Sequence, residues 1–162
     1  MTASARARRP FLFTLARMTA PNLRGYAAFA EVTAQPAELW RWLTDPALLQ
    51  RWYATTVQLE LRVGGRLTAR FADGLTCHAR VLHHDPLRRV GLTFDPAADW
   101  PGPAVVTEDW IIDARPGKVM VRVLGEGVPA LPAWAPWLRH QQSRWAVGLS
   151  RLKLCFGPKG AL

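Results

Sequence analysis

At 162 residues the chain is one domain's worth, long enough to bury about 70% of its unfolded surface without help from metals or disulfides. Charged residues or prolines interrupt every hydrophobic stretch before the roughly 18–20 residues of a membrane span, so none is expected. The net charge of +9 points to no nucleic-acid partner. Residues 1–24 hold five arginines and no acid, which leaves only 16 basic against 12 acidic side chains spread over residues 25–162.

Residues 1–24 read as a basic, flexible extension. Arg8-Arg9-Pro10-Phe11-Leu12 superficially matches a twin-arginine signal, but Arg17 ends the apolar run too early for an export core. Met18-Thr19-Ala20 repeats Met1-Thr2-Ala3, so translation from Met18 is an alternative start. A single domain is expected over residues 25–157, followed by a tail at 158–162. Its two cysteines, Cys77 and Cys155, lie far apart without metal-ligand spacing and read as buried thiols in a reducing cytoplasm.

The first strand is expected from Tyr26 to Val32. Two short helices follow, each signalled by a proline in its first turn: Pro36 to Leu43, and Pro46 to about Trp52 behind an Asp45 cap. After Tyr53 the period changes to two. Val57, Leu59, Leu61 and Val63 alternate with polar residues up to Gly64-Gly65, and Leu67, Ala69 and Phe71 alternate up to Asp73-Gly74. Further strands are expected at Thr76 to His83, Arg89 to Phe94, Val105 to Asp113 and Val119 to Leu124, giving a six-stranded antiparallel meander with one apolar face. Residues 125–136, rich in Gly and Pro, read as a linker.

The last element is a helix from about Trp137 to Phe156, bounded by Pro136 and by Gly157-Pro158. At 100° per residue, Leu138, Gln142, Trp145, Leu149, Leu152 and Phe156 form one stripe, margined by Trp137, Gly148 and Cys155. Its five large apolar side chains, at roughly 1.5–3 kcal/mol each, bring on the order of 10 kcal/mol of burial. Such a stripe needs a large apolar surface to lie on, and the sheet supplies it. Val147 and Leu154 fall on the opposite face, incidental or covered by Phe11-Leu12-Phe13 or a second subunit.

This order of elements resembles the helix-grip fold of the START-like, or SRPBCC, superfamily: α+β, a curled antiparallel sheet of six to seven strands around a long C-terminal helix. The resemblance spans about residues 26–156. It is carried by Trp40-Arg41-Trp42-Leu43-Thr44-Asp45-Pro46 leading to Trp52, by Leu61-Arg62-Val63-Gly64-Gly65-Arg66, by Arg80-Val81-Leu82-His83-His84-Asp85-Pro86 leading to Leu92-Thr93-Phe94, and by Trp145 with Leu149, Leu152 and Lys153. These details are similar to the AHSA-type branch, bacterial homologues of the activator of the 90-kDa heat-shock protein ATPase. Arg144 stands where that branch usually has glycine. The resemblance implies a cavity between sheet and helix for a small apolar, lipid-like or polyketide-like molecule, with a chaperone or stress-response partner as an alternative; a homodimer is suggested only by Val147 and Leu154.

No nucleophile with a base is apparent, and no cofactor is expected. His78 and His83, five apart on one strand, are expected on opposite faces, which argues against a metal site. If Val106, Trp110 and Ile112 face the core, period two turns Glu108 inward with them. That carboxylate is then either a rim residue paired to an arginine, or a ligand-facing acid or base in a cyclase- or hydrolase-like enzyme. Gln142 is read the same two ways, as a bond to loop backbone or as a cavity residue. Trp52, Trp110 and Trp145 are expected inside, as packing or as pocket walls. The leading expectation is non-enzymatic ligand binding by Trp52, Phe71, Glu108, Trp110, Gln142, Trp145 and Leu149.

Overall fold

A computed structural model describes residues 22–157. The readings of residues 1–21 (export, a start at Met18, a cover from Phe11-Leu12-Phe13) and of the tail 158–162 lie outside the described residues. Seven antiparallel strands form one sheet: β1 (Leu23–Val32), β2 (Thr56–Leu59), β3 (Arg66–Arg70), β4 (Thr76–Asp85), β5 (Arg89–Phe94), β6 (Thr107–Arg115) and β7 (Lys118–Pro129). Their order across the sheet is β1-β7-β6-β5-β4-β3-β2. Strands β2 to β7 are the expected meander, and β1 pairs outside β7. The helices α1 (Pro36–Thr44) and α2 (Pro46–Leu49) thus carry the chain from one edge of the sheet to the other.

The one expected cap forms where the residue type demanded. Asp45 accepts a hydrogen bond from the backbone N–H of Ala47 at 2.9 Å, satisfying one of the orphan donors of α2, whose proline has none to satisfy. A 3₁₀ turn at Pro132–Trp134 leads into α3 (Ala135–Cys155), about 30 Å long. Leu138, Gln141, Trp145, Gly148, Leu149 and Leu152 of α3 are buried. They meet the inner positions of the sheet, among them Ala30, Leu67, Ala69, Val81, Leu92, Trp110, Val121 and Val123, in a single core.

Four local readings change. The alternation after Tyr53 stops at Leu59: residues 60–65 form a turn closed by Gly65 N–H to Arg62 O at 2.8 Å, and Val63 is exposed. Residues 125–129 belong to β7 and pair with β1, so their glycines are strand residues, not a linker. β1 correspondingly starts at Leu23, ahead of the expected strand start at Tyr26. In β4 a bulge between Val81 and His83 inserts one residue, Leu82, and reverses the phase. His78 and His83 therefore share the outer face despite their odd spacing, one bonded to Thr68 and the other to Asp109. Among the described residues, no three His, Cys, Asp or Glu side chains converge as a metal would require.

Candidate functional site

β6 turns Glu108, Trp110 and Ile112 inward, and Val106 just before it is buried as well, the phase that the alternation predicted. Glu108 is 1% exposed and lies under α3. Four neutral groups donate to it: Trp110 Nε1 to Oε1 at 2.8 Å, and Tyr26 Oη, Trp145 Nε1 and Gln141 Nε2 to Oε2 at 2.5, 2.9 and 3.5 Å. Among the described residues, no arginine pairs with it. Burial pushes the Glu108 carboxyl above its ordinary range, while the bonds from Tyr26, Trp110, Trp145 and Gln141 pull the other way. Burial and the neighbouring carboxyl likewise keep the Tyr26 phenol protonated.

The approach of Tyr26 depends on one missing side chain. Gly125 on β7 is the register partner of both Tyr26 on β1 and Glu108 on β6. A Cβ at Gly125 would stand 2.1 Å from Tyr26 Cζ, so the ring lies across the glycine and delivers its hydroxyl two strands away. The outer face repeats the device: His83 lies over Gly91, which is paired in register with both His83 and Asp109, and its Nε2 reaches Asp109 Oδ1 at 3.0 Å. There Arg89 adds two bonds of 3.0 Å to the same carboxylate.

Around Glu108 the interior is aromatic and full. Trp52, Tyr53, Trp110 and Trp145 meet at centroid distances from 5.3 to 6.1 Å, and Phe71 stands edge-on to Tyr53 at 5.3 Å. Of the seven residues expected to form a ligand site, Trp52, Phe71, Glu108, Trp110, Trp145 and Leu149 are brought together in the core. Gln142 is not, because it is exposed; the inner amide is Gln141. The two glutamines flank the stripe, 100° apart on a helical wheel, so only the seating of α3 decides between them. Sequence reasoning also passed over Tyr53 and Tyr26. Period two on β1, counted back from Val32 and Ala30, would have turned Tyr26 inward.

Free space remains at the edge of this cluster. A cleft of about 40 Å³ opens between α3 and the loops that flank β4 and β5, walled by Tyr53, Phe71, Phe94, Trp100 and Trp137 with Cys77, Gln141 and Arg144. Burial, then the nearby Glu108 carboxyl, push the Cys77 thiol up to about 12, so it stays protonated at neutral pH. On the other side of Phe71 an open groove of about 460 Å³ runs between residues 50–55 and α3. Tyr53, Phe71 and Arg144 line both spaces. The Arg144 guanidinium carbon lies over Phe71, 3.7 Å from the ring centroid, and its side chain is only 17% exposed. With Tyr53 and Phe71 it stands between cleft and groove.

A curled sheet closed over a long C-terminal helix, with the buried polar residues Glu108 and Gln141 at the contact between them, defines a helix-grip protein of the START-like class. Residues 33–157 match the family model described as activator of Hsp90 ATPase homolog 1-like protein, and the chain belongs to that family. No curated protein matches it. Its fold is similar to that of MLL2253 from Mesorhizobium loti, at 20% identity and a TM-score of 0.71 over 81% of this chain and 95% of that one. It is similar as well to the Aha1 dimer from Colwellia psychrerythraea, at 18% identity and a TM-score of 0.68 over 85% and 99% of the two chains. A third likeness, at 14% identity and a TM-score of 0.66 over 82% and 96%, is to PFC0360w from Plasmodium falciparum, described as an HSP90 activator.

Proposed function

We propose that this protein binds a small molecule with an aromatic or apolar body at the mouth between sheet and α3, and does so without catalysis. The observation that carries this reading is the pair of adjoining spaces, the 40 Å³ cleft and the 460 Å³ groove, which share Tyr53, Phe71 and Arg144 as common walls. The enclosed volume is too small for a ligand held wholly inside, where Trp52, Trp110 and Trp145 fill the core. Entry from the groove with displacement of Arg144 meets Tyr53 and Phe71 first.

Glu108 fits the role of a pin in this reading. Both its oxygens are engaged by donors from β1, β6 and α3, and it lines neither space, which counts against a general base. Native mass spectrometry of freshly isolated protein, followed by tryptophan-fluorescence titration with small aromatic and aliphatic compounds, tests the proposal. Saturable binding that a Phe71→Ala change weakens about tenfold or more is expected; no bound mass and no binder would sink it.

A second reading is supported by the family and by the described activity of PFC0360w: docking to a chaperone. The exposed Leu23 and Phe29 on edge strand β1 offer such a surface.

A further inference from the structure

Charge is distributed unevenly around the groove, and this narrows the kind of molecule it fits. Its floor is apolar, made by Trp52, Tyr53, Ala54, Phe71 and Gly148, and Gly148 leaves α3 open there: a Cβ at that position would come no closer than 3.7 Å to any atom outside the helix. Its walls carry three arginines, Arg51, Arg144 and Arg151, against one carboxylate, Asp73. Arg51 and Arg151 are exposed, and neither has a carboxylate within 4.0 Å among the described residues. Arg144 is the inner cation. Its Nη2 stands 2.9 Å from His140 Nε2 and 3.6 Å from Asp73 Oδ2, an arrangement that holds the guanidinium at the surface end of Phe71.

We infer that the groove takes a small organic anion, an acid group on a flat aromatic or apolar body, with the acid bound by Arg144 and Arg151 and the body laid on Tyr53 and Phe71. This rests on the proposed binding role and adds the charge of the ligand to it. The chemistry favours an acid over a neutral molecule of the same shape. A guanidinium presents a planar fork that meets a carboxylate or phosphate with two bonds, and over an apolar floor those bonds are only partly screened by water. A neutral ligand would displace Arg144 from Phe71, Asp73 and His140 and return nothing to it, whereas an anion replaces the contacts that Arg144 gives up. Carboxylate and phosphate share this recognition, and the probes separate them.

The probes are 2-naphthoate, 2-naphthyl phosphate and the neutral 2-naphthalenemethanol, titrated into the full chain at low and at moderate salt with tryptophan fluorescence as the readout. At least one of the two anions is expected to bind about tenfold or more tighter than the alcohol, with an advantage that shrinks as salt is added. Arg151→Gln, on an exposed turn of the helix, should remove part of that advantage without altering the fold, and Arg144→Gln most of it. Equal binding of alcohol and acids, or an advantage unmoved by both arginine changes, would overturn the anion assignment and leave the binding role standing. Binding of none of the three by protein with an unchanged circular-dichroism spectrum would overturn both.

Discussion

Glu108 is the residue where opposing physical terms meet most directly. Its four partners are donors, an arrangement suited to a carboxylate, yet burial without a countercharge favours the acid, and burial prevails. Replacing Glu108 by Gln keeps the size but turns an NH₂ toward groups that themselves donate. At about pH 4.5 this change should lower the unfolding free energy by about 1–3 kcal/mol. The pH dependence has a definite sign. Because the folded-state pKa is raised above the ordinary 4.5, the stabilisation from Glu108 is complete below that value and is lost as pH rises through the folded pKa. Urea unfolding of wild type and Glu108→Gln from about pH 4 to 8 should therefore show a stability difference that shrinks toward higher pH. A difference constant over that range would exclude ionisation of Glu108 as its source.

Among the elements, β7 shows how glycine serves a strand. Gly125 admits the Tyr26 ring, and Gly127 has φ 91° with the Val105 carbonyl oxygen 1.9 Å from where a Cβ would stand. Gly127→Ala thus combines a left-handed backbone with a clash against main chain and should cost about 2 kcal/mol or more. Gly117→Ala supplies the comparison: φ is 71° at that turn, with nothing within 4 Å, so only the backbone cost of about 1 kcal/mol remains. Equal losses of thermal stability in the two variants would argue against the close approach of β7 to Val105, just before β6. This is also where sequence reasoning went astray, since Gly125, Gly127 and Pro129 carry the composition of a linker. Composition registers the absence of a side chain; it does not register the ring or carbonyl that occupies the space.

Over the whole molecule, one core joins the sheet to α1, α2 and α3, with Trp52, Trp110, Trp134 and Trp145 all inside it. Far-ultraviolet and near-ultraviolet circular dichroism should accordingly lose signal in a single coincident transition on denaturation. Two separated midpoints would show that α3 detaches from the sheet on its own. The sequence by itself determined the order of the elements, the cap at Asp45 and the first-turn proline at Pro36, the inward phase of Glu108 and Trp110, and the need of a long amphipathic helix for a sheet to lie on. Each of these is a periodicity or a backbone preference, set by residues a few positions apart. Only the tertiary structure decided that Gln141 rather than Gln142 faces inward, that the bulge at Leu82 brings His78 and His83 to one face, that three aromatic donors close on one carboxyl, and that Tyr53, Phe71 and Arg144 stand between cleft and groove. Those depend on how distant surfaces seat against each other, where a rotation of part of a helical turn or one inserted strand residue exchanges inside for outside.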